Sequence, residues 1–297
     1  MILPTIRSRK DYLQAYTEEA VWLPAMRTLC QRHGRRAGSL RRMTLGSHVV
    51  FCADDVIIKL FCPLWSEDFK SERACLAHIR GLSVPQLIAE GELEGWPYLL
   101  ITVVPGIPAG ELWDKLDRAQ QQGIVTELGQ IMSTLHALPT VPELDDDWAG
   151  FIQARIDGAD QHHAADEPFR GWIRQRLARF REPPFPHVLL SADITEDHLL
   201  LSERAGRWRI TGFIDFGDAR MGHPYYEFIA PLAFYTIGKP ELSRMLVEAY
   251  GLELTAELAD DLTSYCLLHE FGRLAHFLER FAAEDGPAFH RALWGDI

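Results

Sequence analysis

The sequence predicts an α+β protein of two lobes, a small β-rich N-terminal lobe over residues 1–103 and a larger, mainly helical C-terminal lobe over residues 104–297. Three observations carry this expectation. Alternating apolar runs crowd the first third of the chain, helical spacing dominates beyond Pro105-Gly106, and one β-like stretch from His187 to Ile214 interrupts the helices. With 47% hydrophobic and 24% charged residues in 297, the chain has ample apolar material for a core.

Residues 10–33 place Leu13, Tyr16, Ala20, Leu23 and Met26 at helical spacing, and Pro24 is expected to kink or divide that segment. SLRRMTLGSHVVF, a turn at Ala53-Asp54-Asp55, and VIIKLF then read as strands. The stretch from Ser66 to Arg80 opens with a serine and acidic residues, as helix starts prefer. QLIAEGEL and WPYLLITVV are two more strands around Glu94-Gly95, and the second runs into Pro105-Gly106, the breaker pair that marks the lobe boundary. Beyond it, Asp117 to Ala137 and the stretches 147–157 and 168–180 read as helices, with Leu242 to Tyr250 and Ala256 to Phe281 the clearest amphipathic runs.

Composition narrows the function. A formal charge of -12, from 30 basic against 42 acidic residues, argues against a general phosphate-neutralising surface for nucleic acid and leaves cationic substrates open. The five cysteines (Cys30, Cys52, Cys62, Cys75, Cys266) are scattered and form no C-x-x-C pair, which fits reduced thiols rather than a disulfide framework or a zinc site. No apolar run approaches the roughly 18 residues of a membrane span and the start lacks a leader pattern, so a cytoplasmic protein with no membrane partner is expected. His162-His163 reads as a solvated loop pair, since no further ligand stands at suitable spacing.

The most informative stretch is LLSADITEDHLLLSERAGRWRITGFIDFGDARMGHP. Asp193 follows a short apolar strand and opens the polar loop ADITED; HLLLSE then resumes a β pattern, and the turn Arg204-Ala205-Gly206 lets RWRITGFI run back antiparallel. Counting back from that turn brings Asp193, His198 and Asp215 to the open end of one hairpin. Clustered carboxylates repel one another, and such an arrangement usually persists because a divalent cation or a transferred proton uses it. A second signal is independent of the first. Only five of the 30 basic residues are lysines, and Lys59 sits inside the apolar strand VIIKLF, where alternation groups it with Ile57 and Phe61. A buried ammonium needs an anionic partner; Glu72 on the following helix is the natural one, with Asp68 one turn earlier as the alternative.

In these motifs the chain resembles the aminoglycoside phosphotransferase family, a branch of the protein-kinase-like fold that also includes choline and other metabolite kinases. Ile214-Asp215-Phe216-Gly217-Asp218-Ala219, followed by Gly222-His223-Pro224, is close to the family's metal-binding stretch. Ser191-Ala192-Asp193-Ile194-Thr195-Glu196-Asp197-His198 aligns with its catalytic loop H-x-D-x-x-x-x-N, but with Ser191 for the histidine and His198 for the asparagine. Leu135 to Pro139 (LHALP) is a further, structural, likeness.

The resemblance implies Asp193 as the catalytic residue, Asp215 as a metal ligand, and Lys59 with Glu72 on the phosphates of ATP or GTP. Gly46, Ser47 and His48 would form the turn over those phosphates, with the backbone amides of Ser47 and His48 reaching the oxygens. Ile101, Thr102 and Val103 fall either at the hinge against the adenine ring or in a core strand. Mg²⁺ is the implied cofactor. His198 is then either a nitrogen ligand that favours Mn²⁺ or only a hydrogen-bond donor, with Asp197 or Glu196 supplying the missing oxygen. The implied acceptor is a small hydroxylated and cationic molecule, foremost an aminoglycoside, with choline, a sugar or an amino-alcohol as alternatives and a nucleotide-binding module without turnover as the competing class. Glu227, Asp260, Asp261, Glu270 and Glu279 are acids that either line such a pocket or lie in solvent, and the family often uses the acid at Glu227 to brace the active-site loop.

Overall fold

The computed structural model describes residues 2–38, 40–44, 46–162, 167–268 and 285–297. Leu45, His163, Glu270 and Glu279 lie outside the described residues, as does the end of the amphipathic run reaching Phe281. The chain divides into two compact units, one made of Met1–Pro105 with Phe213–Asp218, the other of Gly106–Gly212 with Ala219–Ile297. The short segment carrying Asp215 therefore belongs to the same unit as Lys59, which no single cut in the sequence expresses.

The first unit is built on an antiparallel sheet in the order β1–β2–β3–β5–β4, with β1 Arg41–Met43, β2 Val49–Ala53, β3 Val56–Leu60, β4 Leu87–Leu93 and β5 Trp96–Thr102. β4 and β5 are joined by the two-residue turn Glu94-Gly95, both at positive φ (51° and 84°), whose twist matches that of paired strands. Val56, Ile58 and Leu60 of β3 point to one face and share a core with Trp22, Met26 and Leu29 of α2 (Glu19–Arg32). Strand alternation sends Lys59 to the opposite face, toward α3 (Ser66–His78).

The division expected at Pro24 falls elsewhere. α1 (Arg9–Tyr16) begins at a Ser8 cap, and the break before α2 lies at Thr17-Glu18, where the Trp22 indole N–H donates to the carbonyl of Ala15. Pro24 stays inside α2 because the buried stripe Trp22, Ala25, Met26, Leu29 and Cys30 stabilises the helix beyond the one hydrogen bond that proline removes. Ser66 is the first residue of α3 and not its cap; a tight turn at Pro63–Trp65 leads in, while Glu67 and Asp68 occupy the first turn as the macrodipole favours.

The second unit contains β6 (Ile107–Pro108), α4 (Ala109–Leu112), α5 (Arg118–His136), α6 (Trp148–His162), α7 (Glu167–Leu177), β7 (Val188–Leu190), β8 (Leu199–Arg204), most of β9 (Arg207–Phe213), β10 (Arg220–Gly222), α8 (Ile229–Pro231), α9 (Pro240–Tyr250), α10 (Ala256–Cys266) and α11 (Gly286–Trp294). α5 starts at a full capping box, Asp117 with Gln120, and packs closely on α9. Gly129 permits that approach, since a Cβ there would stand 2.7 Å from the Leu246 carbonyl. β7 pairs antiparallel with β10, and β6, β8 and β9 form a second small sheet. The β8–β9 hairpin turns at Ala205-Gly206, both at positive φ, as its sequence predicts. No helix among the described residues is long and apolar enough to cross a membrane.

Candidate active site

In the first unit β3 presents Lys59 at 4% exposure, and its ammonium lies 2.6 Å from Glu72 Oε2 and 2.8 Å from Asp215 Oδ1. Burial disfavours the charge, but the two carboxylates outweigh it and raise the Lys59 pKa above its usual value, so the lysine is a fixed cation. Asp215 Oδ1 also accepts from the Gly217 N–H at 3.2 Å, and Asp215 itself sits in the left-handed region at φ 67°. Such a conformation costs a non-glycine residue energy, and the Lys59 and Gly217 contacts hold it there.

Asp68 does not reach Lys59. Its Oδ2 lies 2.9 Å from Nε2 of His48, a ring 3% exposed and packed 4.7 Å from Phe61. A carboxylate only accepts, so Nε2 carries the proton. Among the described residues the buried Nδ1 finds no hydrogen-bond partner, a state that costs about 1–3 kcal/mol. Burial and the nearby Lys59 charge hold the His48 pKa below its usual value against the pull of Asp68. The Gly46-Ser47 turn is fixed from α1, where Tyr16 and Tyr12 donate to the carbonyls of Gly46 and Ser47, each at 2.6 Å. Ile101 is buried in β5 opposite Ile57, Thr102 Oγ1 accepts from the Gln86 amide, and Val103 beyond the strand is 39% exposed.

In the second unit β7 delivers the chain into the loop of Asp193. Glu227, with a fully buried side chain, accepts from the Ser191 N–H at 2.7 Å and the Ala192 N–H at 2.9 Å. These bonds hold Ala192 in the left-handed region at φ 65°, immediately before Asp193. His136 stands 3.4 Å from the same carboxylate and is itself bonded to the Tyr250 hydroxyl at 2.8 Å. The far side of the loop is held by Tyr235, whose hydroxyl donates to the Thr195 carbonyl, and by Gly110, whose N–H donates to the Glu196 carbonyl. Burial, with the charges of Glu196, Asp197 and Asp193, lifts the Tyr235 pKa far above its usual value and keeps it a donor.

His198 Nδ1 lies 2.9 Å from the Asp193 backbone carbonyl, 3.2 Å from Thr195 Oγ1 and 3.3 Å from the Asp193 carboxylate. The carbonyl only accepts, so Nδ1 carries a proton. Among the described residues no three His, Cys, Asp or Glu side chains converge as a metal centre. Within the first unit the Asp215 side chain, 27% exposed, offers the hard oxygen that a divalent ion shared with phosphates takes.

Sequence pattern does not reveal the residues that brace these segments, Tyr12, Tyr16 and the His48–Asp68 pair in the first unit and Tyr235 and His136 in the second. Each contact spans 20 or more residues, and tyrosines at helical spacing look like any amphipathic face.

Residues 45–268 match the profile of the phosphotransferase enzyme family. Aminoglycoside 3'-phosphotransferase of Streptomyces ribosidificus is 25% identical over 205 residues, which cover 64% of this chain and 75% of that protein. The solved GDP and kanamycin complex of APH(2")-IIia superposes with a TM-score of 0.71 at 16% identity, covering 87% of this chain and 93% of that one. Aminoglycoside phosphotransferase APH(3'')-Id from Streptomyces rimosus, in complex with ADP and streptomycin, gives 0.58 at 17% identity over 84% and 99%. Both likenesses establish the fold.

Proposed function

Because the chain belongs to the phosphotransferase enzyme family, we propose that it moves the γ-phosphoryl group of ATP or GTP to a hydroxyl of an aminoglycoside-type antibiotic. The observation that carries this reading is the buried Lys59 held between Glu72 and Asp215, a fixed cation of the kind that steadies nucleotide phosphates. In it, residues 1–103 form the nucleotide-binding lobe and 104–297 the catalytic and substrate-binding lobe. Gly46, Ser47 and His48 lie along the phosphates, and Ile101 and Val103 serve the base. Asp193 orients the acceptor hydroxyl and takes its proton as the oxygen bonds to the γ-phosphorus; the bond from that phosphorus to the β,γ-bridging oxygen breaks, and a nucleoside diphosphate leaves.

Asp215 would supply oxygen, and His198 nitrogen, to a bound Mg²⁺ or Mn²⁺. When bound, the cation neutralises phosphate charge. The transition state is loose, so most of the acceleration comes from positioning and charge neutralisation.

One observation supports an amine-rich acceptor: the related structures hold kanamycin or streptomycin beside a nucleotide. A cytoplasmic location, where ATP and GTP are supplied, completes the reading.

A coupled nucleotide-consumption assay tests it, run across aminoglycosides, amino-alcohols and sugars with each nucleotide and with Mg²⁺ and Mn²⁺. Consumption dependent on an aminoglycoside is the expected result. Consumption with choline or a sugar alone would replace the acceptor, and nucleotide binding without consumption would replace the function with a regulatory one.

A further inference from the structure

Phosphates entering the first unit need Lys59 and the Gly46–His48 turn to be set relative to each other, yet Lys59 lies in β3 and the turn between β1 and β2. One face of α3 addresses both. Asp68 and Glu72, four residues apart and so neighbours on the helix surface, hold His48 and Lys59 respectively, at 2.9 and 2.6 Å. The Phe61 ring is a platform common to the two, 4.7 Å from the His48 ring centre and 5.2 Å from the Lys59 ammonium. Gly217 faces Asp68 at close range: a Cβ there would stand 3.4 Å from Asp68 Cβ, in ordinary van der Waals contact. The Gly217 N–H in turn bonds Asp215, the second partner of Lys59. His48 is therefore tied through one carboxylate to the helix that holds Lys59.

We propose that the His48 side chain is a positioning residue for the nucleotide: its bond to Asp68 latches the phosphate turn onto α3 and sets that turn in register with Lys59. This rests on the nucleotide-binding reading above. The backbone of the turn is fixed separately by Tyr12 and Tyr16, so losing the latch releases the inner side of the turn without unthreading it. A Gln at position 48 can donate its amide N–H from about where Nε2 stands, and Leu fills the space without a donor.

The test measures nucleotide affinity directly, by displacement of a fluorescent ATP or GTP analogue, together with KM and kcat, in the wild type, His48→Leu, His48→Gln and Asp68→Ala. Losing a hydrogen bond to a charged partner predicts a nucleotide Kd and KM raised about tenfold in His48→Leu and in Asp68→Ala, with kcat reduced far less. His48→Gln should recover most of the affinity, and the His48→Leu/Asp68→Ala double variant should be no worse than either single. Asp68 is partly exposed, so its variant serves even where His48→Leu fails to fold. Wild-type affinity in Asp68→Ala, or additive losses in the double variant, would overturn the latch while leaving the nucleotide site standing. A wild type that binds neither nucleotide would overturn the functional reading and the latch with it.

Discussion

Asp215 and Asp193 are both held beside a left-handed residue, but by different means. At Asp215 the left-handed residue is the aspartate itself, and side-chain charge fixes it, through a buried ammonium shared with Glu72. At Asp193 the left-handed residue is the preceding Ala192, and backbone amides fix it, donated to the buried Glu227. One centre is organised by charge pairing in a dry interior, where removing one member leaves the others uncompensated. The other is organised by hydrogen bonds that set the geometry of the loop.

The contrast can be broken from either side. Asp193→Asn should lower kcat by a factor of roughly 10² to 10⁴, the range for removing a general base, while nucleotide affinity stays near that of the wild type. Lys59→Met should act on stability as well as affinity: two carboxylates lose their cation, and urea unfolding should show a loss of about 3–5 kcal/mol. Glu227→Gln keeps one acceptor oxygen but turns an amide group toward a backbone N–H, so the loop should lose about 1.5–3 kcal/mol, read as lower urea stability and a larger fall in kcat than in nucleotide affinity.

A smaller effect is expected in acid. His223 donates from Nε2 to the Pro183 carbonyl and accepts at Nδ1 from the Tyr225 amide, so its folded form is the neutral ring. Burial lowers its pKa to about 4 against the nearby Glu182. The unfolded chain thus binds more protons at this site below about pH 6.5, and its contribution to stability is full above that pH and falls as pH drops toward 4. His223→Gln should flatten this part of the thermal-stability profile. Least of all, Ala192→Gly should raise stability by under about 1 kcal/mol, since glycine adopts φ 65° without strain but has more freedom to lose.

The lysine centre was legible because a lone lysine within an apolar strand has few physical solutions, and alternation in β3 gave its face. The strands, the hairpin turn at Ala205-Gly206 and the long helix α5 were likewise written in local pattern. The helix break was not, because Pro24 is a strong local signal that the burial of Trp22 and Met26 overrides. Asp68 was read only as a second candidate for Lys59; its bond to His48 depends on how a turn folds onto a helix 20 residues away. The left-handed backbones of Asp215 and Ala192 were invisible for a related reason, since neither residue is a glycine and the contacts that hold them come from Lys59 and Glu227.

The most direct test of the central claim is mass analysis of kanamycin after incubation with ATP or GTP, Mg²⁺ or Mn²⁺, and either the wild type or Asp193→Asn. The account predicts singly phosphorylated kanamycin with the wild type and essentially none with the variant, although the variant binds nucleotide equally well. Unmodified kanamycin with the wild type under every condition, or equal product from the variant, would contradict it.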